Sequence, residues 1–439
     1  MEGNQKTLRY SLLCVVCALW ICMAQLAGNQ ILIFLAMLLF IVTIAYGAAT
    51  DFALPILLFF LPWSPVMKLA PGETSFFTIG LALTCIIQFV TARFPLNAKC
   101  IVPAALLVSL TLFSKNLDGS SISLSYLMFV FLLLLFPVVA RASGKRADFR
   151  ALTIFFSLGI IFAAISAQQL VAFPNIARYI DVYHWNAVTR YSGFYGDANF
   201  YSAHISAALS GVLLLLLSEN SRRKIVLLCL LAVALLYCGL LAASKAFTIT
   251  IALVIGLWLI ALLTMKRRMS VKLRIAFGAA LAAGFILTSN LFSELFEMIA
   301  FRFGQANNVL SLTTGRTERW ADYLQVILSD PKVFFLGKGL TNVKIHGLAS
   351  HSTPIQMAYQ LGLTGSVLLL LWLSGLIGGI ASPDSGKLEK RYTAILFIGA
   401  FLPWLSIDLL FFDEFFLLPV YVRMGVVYFS QLRHEAQPV

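Results

Sequence analysis

Apolar stretches of bilayer-spanning length recur along this chain from end to end. Hydropathy places them at 11–28, 30–49, 52–62, 76–92, 100–114, 122–140, 151–172, 201–218, 225–243, 246–264, 275–291, 355–380, 392–408 and 415–431. That is roughly fourteen, the third being short for a helical crossing. The pattern lapses at Phe173–Phe200 and, at greater length, at Phe292–Thr353. Polytopic proteins keep their connections short, so a long polar interruption marks a place where function concentrates. The predicted fold is an all-α polytopic integral membrane protein. About 12–14 transmembrane helices are expected, with one long outer loop carrying short amphipathic helices. Residues 1–150 read as scaffold helices, 151–380 as the region that carries chemistry, and 381–439 as closing helices with a tail. Ala24-Gln25-Leu26-Ala27 has the look of a cleavage site. A second span follows almost at once, so the first is read as a retained anchor.

Composition agrees: hydrophobic residues make up 60% of the 439, charged residues only 12%, and mean hydropathy is +0.90. A net charge of +13 would point to nucleic acid on a soluble protein. Here the basic residues lie between apolar spans, where they orient the chain. Arg141, Lys145, Arg146 and Arg150 share one short loop and Arg222, Arg223 and Lys224 another. Lys266–Arg274 and Lys387–Arg391 supply two more. All four fall on the side that holds both termini, and the positive-inside rule makes that side the cytoplasm of a plasma membrane. Segments 173–200 and 292–353 then lie outside, away from nucleotide sugars and ATP. The seven cysteines all lie in or beside apolar spans, and Cys14-x-x-Cys17 lacks a second pair, so they read as small packing residues.

In the first outer segment, Arg190 follows a Tyr- and Trp-rich stretch and precedes Gly193, Gly196, Asp197 and Asn199. It is an always-charged group at the bilayer edge, beside glycines that permit close backbone approach. Lys245 sits between two spans with almost no loop around it, a costly place for a cation unless it serves a function or snorkels to headgroups. In the long loop, Trp320, Tyr323, Leu324, Ile327 and Leu328 fall on one helical face, predicting an amphipathic helix lying on the membrane. Arg316 would stand at its N-terminal edge, a place suited to phosphate, with Arg319 one turn in. Lys332, Lys338, Lys344 and His346 add polar character, His346 as an ordinary loop histidine. His351 precedes Thr353-Pro354, which reads as a cap followed by proline at the first helical position. A helix N-terminus disfavours imidazolium, so His351 is predicted to be neutral and fit for a general base. Asp197, Asp322, Asp408, Asp413 and Glu414 form no D-x-D pair, so no metal site and no cofactor are predicted.

Taken in order, these pieces resemble the O-antigen ligase and O-antigen polymerase superfamily of bacterial membrane glycosyltransferases. The resemblance runs from about Arg190 to Gly365. It rests on Arg190-x-x-Gly193 with Asn199, Ser244-Lys245, Thr314-Gly315-Arg316 with Trp320, Gly337-x-Gly339, then His351, Gly362 and Gly365. It departs from the family at Ala198-Asn199 (often Pro-Asn), Ser244-Lys245 (Ser-Arg) and His351-Ser352 (His-Asn). The resemblance implies a metal-independent, inverting glycosyltransferase in the bacterial inner membrane. Its donor would be an undecaprenyl-diphosphate-linked glycan and its acceptor a glycan or lipid-linked glycan. A chain-length regulator and a flippase would be working partners, and nucleic acid would not. It further implies His351, Arg316 and Arg190 as catalytic, with Lys245, Asn199, Arg319 and Gly193 binding substrate. A polymerase of surface-polysaccharide repeats is favoured by the number of spans. A ligase transferring to lipid A core remains open, and so does a lipid-linked sugar flippase, which usually has shorter loops and internal repeats.

Overall fold

The computed structural model describes residues 2–91, 97–118, 123–143, 148–180, 182–185, 188–195, 197–265, 269–304, 313, 315–340, 344–378 and 387–436. It is an all-α polytopic membrane protein, with 83% of the described residues helical. Among the described residues nine helices are long and apolar enough to cross a bilayer, and three shorter ones are also apolar. Each of the fourteen apolar stretches centres on helix.

Helices α1 (Glu2–Ala27) and α2 (Gln30–Ala49) turn on Asn29, whose side chain accepts the N–H groups of Ile31 and Leu32. α3 (Ala53–Phe60) is short but continues as a 3₁₀ turn over Leu61–Val66. Eight α and six 3₁₀ residues extend about 24 Å, close to a hydrocarbon thickness. Lys6 Nζ donates to Thr50 O at one end, and Gln25 Nε2 donates to the carbonyls of Val66 and Lys68 at the other. The short third span therefore travels the same depth as α1, and every side chain of α3 is buried.

α4 (Phe76–Thr91), α5 (Ala98–Asp118), α6 (Leu124–Ser143) and α7 (Phe149–Leu170) follow. Next come the one-turn α8 (Pro174–Ala177) and a hairpin of β1 (Val182–Trp185) and β2 (Val188–Tyr191), with Tyr183 opposite Arg190. The hairpin was not foreseen. Its aromatic and β-branched residues favour strand. α9 (Ala198–Ser218) is the central helix, buried from Ala198 to Leu217 except at Phe200. α10 (Arg222–Leu241), α11 (Lys245–Thr264) and α12 (Met269–Thr288) follow it. α13 (Asn290–Gly304), α14 (Arg316–Ser329) and α15 (Pro331–Leu336) occupy the long loop. α16 (Thr353–Ile377), α17 (Lys387–Phe401) and α18 (Glu414–Ala436) complete the chain. One apolar core runs from Tyr10 to Phe429, through all three of the segments distinguished in the sequence.

The loops sort to two rims. Arg150 pairs with Glu219 at 2.8 Å, Arg274 donates to Asn220 O at 3.0 Å, and Arg391 donates to the Thr264 hydroxyl. The described parts of the basic loops thus share one rim. Phe149 packs edge-on against Phe429, which brings the last helix to the same rim. On the opposite rim Asn175 donates to Leu26 O, Ser244 to Asn199, and Ser114 to Leu336 O.

α13 packs into the main core through Phe292 and Leu295, while α14 and α15 dock through α16. Tyr323, Ile327 and Val333 bury against Tyr359 of α16, whereas Leu324 and Leu328 stay 44% and 69% exposed. The apolar stripe of α14 is therefore split between protein and surroundings, and the helix does not lie on the membrane by its whole face. α15 ends at Gly337 (φ +75°), and α16 is broken at Gly362 (φ +62°). A Cβ on Gly337 would meet Gln360 O at 2.3 Å, and one on Gly362 would meet Gly337 N at 2.6 Å. Backbone rests directly on backbone here, with Lys338 N donating to Tyr359 O at 2.9 Å.

Candidate active site

The 350–352 turn stands at the entrance to α16. Ser352 is the N-cap residue by backbone angles and makes no side-chain cap. The cap expected at Thr353 is shifted by one residue: the Thr353 hydroxyl donates to Ile407 O at 2.6 Å instead. Capping comes from a distant side chain. Asp408 Oδ2 accepts the N–H of His351 at 3.0 Å, while its Oδ1 accepts the N–H of Ser352 at 2.9 Å and the hydroxyl of Ser350. A carboxylate here answers both the free N–H groups and the positive end of the helix. It also holds His351 at φ +49°, a left-handed conformation that a non-glycine residue adopts only when its surroundings impose it.

The His351 ring is half-buried, with Nδ1 3.9 Å from Asp197 Oδ2. Burial lowers its pKa first and the Arg316 guanidinium second; Asp197 and Asp408 pull it back up, and Arg319 adds a further small depression. The predicted direction holds. The main causes differ from the expected one, since burial and an arginine lead.

Asp197 is the N-cap of α9. Its Oδ1 accepts Asn199 N at 2.7 Å and Asn199 Nδ2 at 2.8 Å, while Oδ2 is turned toward His351. Asn199 is buried, and its Oδ1 accepts the Ser244 hydroxyl at 2.8 Å. Ser244 in turn caps α11 at Phe247 N. Asn199 thus ties α9 to α11 and holds Asp197. Gly193 (φ +61°) is also structural: a Cβ there would stand 3.1 Å from the Tyr201 ring.

The cations converge on the turn between α10 and α11. Arg190 Nε donates to Ala242 O at 3.0 Å, and Arg302 donates to Ala243 O. The last carbonyls of a helix are natural acceptors for such groups. Lys245 lies 5.9 Å from the Phe303 ring centroid. Arg302, almost fully buried, has its pKa pushed down to about 10, by burial first and then by Arg190 and Arg316. Burial also lowers that of Arg316, the first residue of α14; Asp197 opposes this, Arg319 adds to it and Asp408 again opposes. These guanidiniums remain charged, so the depressions report first a poorly hydrated place and then repulsion from neighbouring arginines. An anion seated among them would relieve it.

The structure therefore brings Arg190, Lys245, Arg316, Arg319 and His351 to one patch and gives Asn199 and Gly193 supporting parts. His346 is exposed in a separate tight turn, and Lys332 and Lys344 are exposed. Gly196 and Thr314 lie outside the described residues. Sequence reading missed Arg302 and did not place Asp408. Arg302 stands in an amphipathic helix where arginine is unremarkable, and Asp408 is 57 residues from its partner with no motif around it. No family model, no curated protein and no solved structure matches this chain.

Proposed function

We propose that this chain is a membrane glycosyltransferase that moves a glycan from an undecaprenyl-diphosphate carrier to an acceptor hydroxyl at the outer face of the bacterial inner membrane, with both termini cytoplasmic. The observation that carries this reading is the juxtaposition of poorly hydrated, clustered arginines with the half-buried His351 beside Asp197, on the rim opposite the basic loops. Arg190, Arg302 and Arg316 suit a diphosphate, which each can grip with paired N–H donors. The acceptor oxygen attacks the anomeric carbon as the bond from that carbon to the diphosphate oxygen breaks. The electron pair leaves with the diphosphate, where the arginines stabilise the growing charge. His351 takes the acceptor's proton. Asp197 on the Nδ1 side favours the tautomer protonated there, which leaves Nε2 as the base. Direct displacement inverts the anomeric centre and needs no protein nucleophile.

The acceptor we assign is another lipid-linked repeat, which makes the chain a polymerase of surface polysaccharide. A deletion strain tests this by chain length. Single repeats attached to core would support polymerisation, long chains stranded on the lipid carrier would mean a ligase, and unchanged polysaccharide would overturn the reading.

A further inference from the structure

A cavity of about 420 Å³ opens on the same rim, between the 3₁₀ turn after α3, the start of α6 and the start of α18. Its volume is within the range of small-ligand sites. None of the residues assigned above to donor or base lines it. One wall is polar. Asp413 Oδ2 accepts the Thr78 hydroxyl at 2.8 Å, and Lys68 faces the same space. Glu414 is held by Tyr195 OH at 2.6 Å and His204 Nε2 at 3.0 Å, both on its Oε1. The other wall is apolar and aromatic, with Phe129, Phe412 and Phe416.

This lining selects a ligand class. Three acidic side chains, Glu73, Asp413 and Glu414, with one lysine disfavour phosphate, which the arginine patch already suits. Among the described residues no three His, Cys, Asp or Glu side chains stand together as a metal would require. Carboxylates and hydroxyls beside flat rings fit a molecule dense in hydroxyl groups on its edges and apolar on its faces, because a carboxylate makes its strongest neutral-ligand hydrogen bonds to O–H donors. A sugar has that form. The cavity and the arginine patch also share their framework. The 407–414 loop holds the His351 turn with Asp408 at one end and lines the cavity with Asp413 and Glu414 at the other. The 190–200 segment gives Arg190 and Asp197 to the patch and Tyr195 to the cavity wall. Between the two, Phe200 packs on Phe412 with ring centroids 4.7 Å apart.

We infer that this cavity is a saccharide-binding site for a neutral or amino sugar, the end of the acceptor glycan, set beside the diphosphate patch across the Phe200–Phe412 pair. The saccharide site stands on the cavity alone; the word acceptor rests on the function proposed above.

Saturation-transfer NMR on the detergent-solubilised full chain tests it, using galactose, N-acetylglucosamine, glucosamine and glucuronate as probes. Transfer to at least one of the first three and none to glucuronate is expected. Ser125→Trp, at the cavity mouth, should abolish the signal, Asp413→Asn should reduce it several-fold, and Arg316→Gln should leave it in place. No transfer to any probe, or loss with Arg316→Gln but not with Ser125→Trp, overturns the site. Transferase assays separate the two claims. Normal acceptor KM in Ser125→Trp overturns the acceptor assignment and leaves the glycosyltransferase reading intact. Saccharide binding in a chain without turnover keeps the site and overturns the acceptor assignment.

Discussion

Asp408 accepts the backbone N–H of His351 at 3.0 Å, although the two residues stand 57 positions apart, one in the turn before α16 and the other in the loop before α18. This bond, with those to Ser350 and Ser352, holds the His351 turn in its left-handed conformation. Asp408→Ala removes three acceptor contacts at once. Hydrogen bonds to a charged group are worth about 1.5–3 kcal/mol each before relaxation. The expected outcome is a clear drop in Tm together with a fall in turnover, while binding of lipid-linked donor persists through the arginines. Differential scanning fluorimetry and a donor-binding assay on the same preparation check it. Unchanged turnover would show that the turn needs no such restraint.

The pH dependence follows from the charges around His351. Burial and Arg316 hold its pKa below the ordinary 6.5, and Asp197 counteracts them. As a base it works only when neutral, so activity should fall on the acid side at a pH lower than an exposed histidine would give. Asp197→Asn removes a charge that favours imidazolium and should move this acid limb to still lower pH. Arg316→Gln removes one that disfavours imidazolium and should move the limb of its residual activity upward. Opposite displacements in kcat-pH profiles would identify His351 as the titrating group. His351→Ala should cost about 10²–10⁴-fold in turnover, the usual worth of general-base assistance.

The architecture was largely legible in the chain because hydropathy is local: a span needs only its own residues to announce itself. Even α3 was found, although its passage through a 3₁₀ turn to Val66 depends on Gln25, some forty residues away. The local placement of candidate residues was also legible, such as Arg316 at the start of its helix and His351 beside the start of α16. Their surroundings were not. The depression of His351 was expected from the helix end, yet burial and Arg316 lead it. Asn199 and Gly193 were expected to touch substrate, and both face protein. What a polar side chain bonds to depends on elements packed together from far along the sequence, and no period or spacing records that.

The sidedness of the two rims has its own test. Ser329 in α14 and Ser270 in α12 are both exposed, and they lie toward opposite rims. Most native cysteines are buried, Cys229 partly so, which keeps the background low. In intact cells, with the outer membrane permeabilised, Ser329→Cys should react with an impermeant maleimide and Ser270→Cys only after lysis. The reverse pattern would place the arginine patch in the cytoplasm and remove the ground for a lipid-carried donor.

Arg302 gives the sharpest test of the diphosphate patch, because the structure alone singled it out. It is buried, it shares the α10–α11 turn with Arg190, and it feels both Arg190 and Arg316. Lysine keeps the charge but loses the planar fork that grips two oxygens at once. Replacing one charge-assisted contact is expected to cost about 1.5–3 kcal/mol, or roughly 10–100-fold in kcat/KM for the donor. Arg302→Lys should therefore fall as far as Arg190→Lys and Arg316→Lys. The double variant Arg190→Lys with Arg302→Lys should lose less than the product of the singles, since residues that grip one group act together. Lys332→Ala, exposed in the same loop, should change little. If Arg302→Lys turned over normally while the other two failed, its burial would serve only to hold the α10–α11 turn, and the diphosphate would be gripped by Arg190 and Arg316 alone.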